Sequence, residues 1–149
     1  IDKVTLPAIA EGAARAGRRT KDIDICMKPL VATAPNSVAL ELVAEDVRAR
    51  VAFYASTPSY RAAFSVHGLG GLADELCQLS KQRRWEEMPG RISDSVLETY
   101  AVVGTYDEIT EKLLARYGGL VDRVEFGIPA NTPQDKEMLS GIINDLRLS

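Results

Sequence analysis

Histidine and cysteine are scarce in this chain: one His and two Cys stand among 149 residues. The cysteines, Cys26 and Cys77, lie far apart with no C-x-x-C spacing, which argues against a disulfide framework and, with one histidine, against a protein-only zinc site. Long apolar runs are missing as well. None approaches the roughly 20 residues needed to cross a bilayer, and the start Ile1-Asp2-Lys3 resembles neither a signal peptide nor a transit peptide. Nor is there an excess of positive charge, since 18 Lys and Arg are scattered among 21 Asp and Glu for a net charge of -3. No basic stripe is available to neutralise a phosphate backbone. These absences argue against nucleic acid, membrane and metal as partners and make a cytoplasmic location the expectation. The chain begins without Met, so a preceding segment is expected.

What is present is the composition of a globular domain, 46% apolar and 26% charged. Thr5-Leu6-Pro7 opens an Ala-rich helical segment to Arg15, with Thr5 placed to cap it and Gly17 to end it in the left-handed conformation. Apolar residues on both parities from Ile23 to Thr33 predict a strand covered on both faces, weakened at Pro29, which removes a ladder donor. Asn36-Ser37 starts a long helix in which Val38, Leu42, Ala49 and Phe53 share one broad face and Glu41, Glu45 and Arg48 decorate another. Thr57-Pro58 interrupts it and begins a second helix through Tyr60 and Phe64 to a stop at Gly68. Further helical pieces are expected from Leu69 or Leu72 to Gln82, from Trp85 to Met88 and from Val96 to Tyr100.

The clearest local signal is Gly104-Thr105-Tyr106-Asp107-Glu108, where Thr105 and Glu108 have capping-box spacing ahead of Ile109, Leu113 and Leu114. It predicts a helix from Tyr106 to Tyr117, stopped by Gly118-Gly119. A strand follows from Val121 to Ile128, with Val124, Phe126 and Ile128 on one face. Thr132-Pro133 caps a last helix ending near Leu146.

The resulting fold class is α/β and mostly helical, in a single fragment covering residues 1–149. Two strands cannot bury both their faces alone. A full (β/α)8 barrel needs about 250 residues, so this chain fits the C-terminal part of a TIM barrel: the last two βα units plus a helical insertion over about 36–101.

Three segments carry a family resemblance. Glu11-Gly12-Ala13-Ala14-Arg15-Ala16-Gly17-Arg18 before Ile23-Asp24-Ile25, and Val102-Val103-Gly104-Thr105 with Asp107-Glu108, are similar to late segments of luciferase-like monooxygenases. Tyr106 stands where that family usually has Pro. Phe53-Tyr54-Ala55-Ser56-Thr57-Pro58-Ser59-Tyr60-Arg61 with His67-Gly68 resembles a subgroup of F420-dependent oxidoreductases. The resemblance implies an enzyme moving hydride or electrons between F420, or alternatively FMN, and a small organic substrate. It also implies that an N-terminal barrel half, absent from this sequence, carries much of the catalytic apparatus, and it leaves catalytic residues unassigned. A homodimer is compatible with it. The competing reading is a noncatalytic helical interaction or dimerisation module.

In a barrel the active face lies at the C-terminal strand ends. Ala32-Thr33 and Gly127-Ile128-Pro129 then point to the pocket, and the insertion is expected to lie over its mouth. Tyr54, Thr57, Tyr60, Arg61 and His67 concentrate aromatic and hydrogen-bonding groups there and are candidates for a substrate pocket or lid. The plainer reading makes them core-edge and solvated residues, with His67 closing a helix C-terminus. If the two strands are neighbours, Lys28 and Glu125 pair inside the barrel. Cys77 reads as packing, and Trp85 as a lid anchor or interface residue against the usual core role of a lone Trp.

Overall fold

In the computed structural model, which describes residues 1–125, 127 and 130–148, the chain is mixed α/β and mostly helical. Helix α1 spans Thr5–Arg15 and strands β1 and β2 span Cys26–Met27 and Leu30–Ala34. Helices α2 (Ser37–Ser56), α3 (Arg61–Ser65), α4 (Gly70–Lys81) and α5 (Asp94–Tyr100) follow, then β3 (Ala101–Thr105), α6 (Tyr106–Tyr117), β4 (Arg123–Val124) and α7 (Pro133–Leu148). Short 3-10 turns lie at Thr20–Asp22, Pro58–Tyr60, Trp85–Glu87 and Pro89–Arg91.

The strands form two parallel pairs, β1 with β4 and β2 with β3. Proline explains why Ile23 to Thr33 yields two strands rather than one: Pro29 lacks an N–H, and the ladder stops on either side of it. Strand β3 is a departure from expectation. Val102 and Val103 are read from sequence only as the approach to a helix cap, yet Ala101–Thr105 pairs in register with Leu30–Ala34. The chain therefore carries a further strand followed directly by a helix. Of the expected strand Val121 to Ile128, Arg123–Val124 is present; Phe126, Ile128 and Pro129 lie outside the described residues.

The chain divides into two compact units, Ile1–Pro29 with Thr110–Ser149, and Leu30–Ile109. In the first, Cys26 faces Arg123 and Met27 faces Val124. Gly17 takes φ +66 at the end of α1, as a left-handed stop requires, while Arg18 donates its N–H to Ala13 O at 2.9 Å. Thr5 is the first helical residue rather than the cap, and the Val4 position before it provides no side-chain cap.

The core of the second unit gathers Ala32 and Ala101 from the strands, Ala44, Val47, Val51, Ala52 and Ala55 from α2, Phe64 from α3, and Ala73, Leu76 and Leu79 from α4. Asn36 caps α2, its side chain accepting from the Ala39 N–H at 2.9 Å. The face α2 buries is the opposite of the one expected. Val38 and Leu42 are each 72% exposed and Phe53 is 63% exposed, and Ala49 is exposed too. This helix is apolar around most of its circumference, so periodicity cannot choose its inner face. The alanine-rich side wins because small side chains let the helix axis approach the strands closely.

Candidate functional site

Residues alternate across a strand, so each face of the β2–β3 pair is a fixed set. Leu30, Ala32, Ala101 and Val103 belong to the face that packs into the helical core. The register places Val31 beside Val102 and Thr33 beside Gly104 on the other face. Thr33 is only 6% exposed, and its Oγ1 is buried with no hydrogen-bond partner among the described residues. An unsatisfied buried hydroxyl costs about 1–3 kcal/mol, and native proteins rarely leave one without a reason. Thr33 is also the penultimate residue of β2, at the end where parallel sheets with helical crossovers receive their ligands. Helix α2 begins three residues after β2 ends, and α6 begins directly after β3.

The five side chains singled out from sequence fall elsewhere. Helix α2 starts beside the strand ends and packs back along β2 and β3. At 1.5 Å rise per residue, its 20 residues carry the chain about 30 Å, past the strand starts. Tyr54 and Tyr60 meet there edge to face at 5.4 Å, 37% and 47% exposed. The Thr57 hydroxyl donates back to Phe53 O at 3.1 Å, and the Thr57 carbonyl accepts from the Tyr60 N–H. The structure thus brings Tyr54, Thr57 and Tyr60 together.

Arg61 is committed to a forked ion pair, with Nε and Nη2 donating to Asp74 Oδ1 and Oδ2, each at 2.7 Å. That hydrogen bonding holds the Arg61 guanidinium above its ordinary pKa and the Asp74 carboxyl below the usual carboxylate range. A Cβ at Gly70 would crowd this group, lying 3.0 Å from Ser65 Oγ and 3.5 Å from Arg61 Nη2. His67 follows α3 and stacks edge-on to Tyr100 at 5.6 Å, while Phe64 lies flat against the same ring at 4.3 Å. Gly68, with φ +73, closes the turn. Tyr100 immediately precedes β3, so His67 too sits at the strand-start end. Burial pushes the Tyr100 phenol up to about 12, and its hydroxyl donates to Ala63 O at 3.3 Å.

One polar hub escaped the sequence reading. Arg48 looks like a surface charge on α2, yet its side chain is only 13% exposed and binds Asp94 at 2.7 Å and Glu45 at 2.9 Å, as well as the Ile92 carbonyl. Burial alone would lower its pKa, but the hydrogen bonds to Asp94 and Glu45 outweigh that and raise it. The i, i+3 spacing to Glu45 was the available hint; Ile92 and Asp94 lie too far along the chain to be read. A hollow of about 590 Å³ opens beside this hub, lined in part by Leu40, Glu41, Leu42, Glu45, Asp94 and Glu98. Its carboxylates make it a poor receptor for an anionic group.

In the first unit, Lys28 Nζ and Glu125 Oε1 do pair, at 2.6 Å, but both side chains are more than 60% exposed. A second hollow of about 680 Å³ is lined by residues of α6, β4 and α7, among them Tyr117, Arg123, Val124 and Ile143. Arg123 is already engaged by Asp24 at 2.8 Å. Cys77 is half-buried on α4 and Cys26 is exposed. Trp85 is 61% exposed, outside the core, its indole N–H donating to Ser80 O at 3.2 Å.

Comparison with known proteins adds a family and a scale. A family model described as luciferase-like monooxygenase matches residues 2–123. Uncharacterized proteins of Mycobacterium bovis and of Mycobacterium tuberculosis are each 37% identical to the chain over 147 residues, which is 99% of this chain and 42% of the relative. The chain therefore spans less than half the length of these curated relatives.

Proposed function

Because the chain belongs to the luciferase-like monooxygenase family, we propose that it forms the C-terminal part of a flavin- or F420-dependent oxidoreductase acting on a small organic molecule. Members of that family use flavin or F420 cofactors. F420 is the preferred assignment, supported by the Tyr54-Ala55-Ser56-Thr57-Pro58 resemblance. A cytoplasmic enzyme is part of the same reading; among the described residues no helix is long and apolar enough to cross a membrane.

The carrying observation is the parallel β2–β3 pair with an unpaired hydroxyl near its C-terminal edge. A two-stranded sheet is marginal by itself, and parallel strands with helical crossovers belong to larger sheets covered on both faces. A (β/α)8 barrel supplies the missing strands, and its ligand end is the end where Thr33 lies. The face that carries Val31, Thr33, Val102 and Gly104 does not itself fit a planar ring, because Val102 and Thr33 are 4% and 6% exposed and Gly104 is buried.

When bound, such a cofactor accepts or donates hydride or electrons. No residue of this chain is assigned to holding its ring or to proton transfer. Substrate contact by Tyr54, Thr57, Tyr60, Arg61 and His67 is a separate proposal, ranked lower because these residues gather at the strand-start end.

The test is equilibrium titration of the whole gene product that contains this chain with F420 and with FMN. Saturable binding of one of them supports the reading. A folded protein that binds neither at tens of micromolar overturns it, in favour of the interaction-module reading that the exposed stripe on α2 supports.

A further inference from the structure

We propose that the loop around Trp85 is one half of a contact between two copies of this chain, docking into the acidic hollow beside α2 of the second copy. This goes beyond the flavin-type reading and does not depend on it.

Trp85 is 61% exposed, although Trp is highly buried on average, and Trp and Arg are the side chains that most often anchor interfaces. Two residues earlier, Arg83 takes φ +59. Its N–H bonds Ser80 O and that of Arg84 bonds Leu79 O, each at 3.0 Å, the pattern of a left-handed helix stop that glycine fills without strain. An arginine closes α4 at a steric cost that glycine does not carry, and strain of this kind points to a use for the side chain. That use lies outside the chain's own fold, since among the described residues the Arg83 guanidinium and the Lys81 ammonium, both exposed, have no partner. Arg84 is held by Glu87 at 2.6 Å, which leaves Lys81 and Arg83 against Glu86 and the loop net positive.

The hollow of about 590 Å³ offers the complementary surface. Leu40 and Leu97 give it apolar lining, and its four carboxylates, Glu41, Glu45, Asp94 and Glu98, outnumber the single guanidinium of Arg48. Arg48 answers Glu45 at 2.9 Å and Asp94 at 2.7 Å, whereas Glu41 is exposed with no partner among the described residues. At roughly 100° per residue, the flank marked by Glu41 and Arg48 is about a quarter-turn from the outer stripe of α2. Clefts of about 300–1,000 Å³ take up whole small molecules, so an indole ring has room. Lys81, Arg83 and Trp85 do not line the hollow of their own chain. Loop and hollow belong to one compact unit, Leu30–Ile109, so each copy carries both, and a two-fold axis makes the contact reciprocal and closed.

The experiment is sedimentation equilibrium of the whole gene product and of its Arg83→Glu, Trp85→Ala and Glu41→Arg variants, with circular dichroism to establish that each is folded. The parent should be a dimer, and each substitution should raise the dimer Kd about tenfold or more. Mixed in equal amounts, Arg83→Glu and Glu41→Arg should associate to within about threefold of the parent, because opposite charges then face each other at both contacts. A parent that is monomeric at tens of micromolar, a dimer indifferent to the three substitutions, or a mixture no stronger than its separate components overturns the contact, and none of these outcomes bears on cofactor binding.

Discussion

At the scale of single residues, burial and charge pairing decide what each polar side chain can do. Tyr100 is raised to about 12 by burial, against about 10 for an unperturbed phenol. The folded state therefore favours the neutral phenol. Its contribution is complete below about pH 10 and is lost as pH rises through the folded value. Tyr100→Phe should flatten the fall in urea midpoint between pH 9.5 and pH 11; an equally steep fall would refute the assignment to Tyr100. Asp74 carries the opposite sign. Its carboxyl is lowered by Arg61, so that pair stabilises above the ordinary carboxylate value and loses its effect as pH falls below it. Arg61→Ala should leave cofactor affinity within about twofold, since the guanidinium is occupied by Asp74. A tenfold loss would instead support the substrate-side role. Arg48 is more consequential, because replacing it with Met frees both Asp94 and the Ile92 carbonyl. Asp94 is 89% exposed and stays hydrated when freed, so the loss comes mainly from the Ile92 carbonyl, and chemical denaturation of Arg48→Met should show a loss of about 1–3 kcal/mol.

Elements were legible in the sequence where the signal was local. Helix α6 starts and stops where its capping pattern and glycines place it, with Glu108 Oε2 accepting from the Thr105 N–H at 3.0 Å. Asn36, through its capping side chain, and Pro29 and Gly68, through their own backbone, likewise act locally, and each was readable. Strand β3 was not, because a short strand buried in a parallel pair shows no alternation and Val102-Val103 resembles any helix approach. The inner face of α2 was not either, since Val38, Leu42, Ala49 and Phe53 make as good a stripe as the alanines that are buried. The unpaired state of Thr33 depends on register with β3 and could not precede knowledge of that strand. Two glycine substitutions test the element account. Gly12 lies inside α1 with nothing within 4 Å of an added Cβ, so Gly12→Ala should stabilise by roughly 0.5–1 kcal/mol. Gly118 is the reverse case: an added Cβ would lie 2.5 Å from the Leu114 carbonyl oxygen, and Gly118→Ala should lower the melting temperature. Equal effects from both would mean that the end of α6 is not held by this contact.

At the scale of the whole molecule, two features indicate a larger structure: the two separate pairs of parallel strands and the apolar stripe on the outer side of α2. The proposed barrel covers that stripe. Leu42→Ser in the whole protein should then lose about 1.5–3 kcal/mol, the magnitude of burying a leucine, whereas a change within about 0.5 kcal/mol would leave Leu42 facing solvent. The most direct measurement is a crystal structure of the whole gene product with its cofactor bound. The account predicts β2 and β3 as adjacent strands of one closed parallel barrel, with the cofactor ring at the strand ends that carry Thr33. A β2–β3 pair that gains no further strands, or a ring bound at the Tyr54 and His67 end, would contradict it.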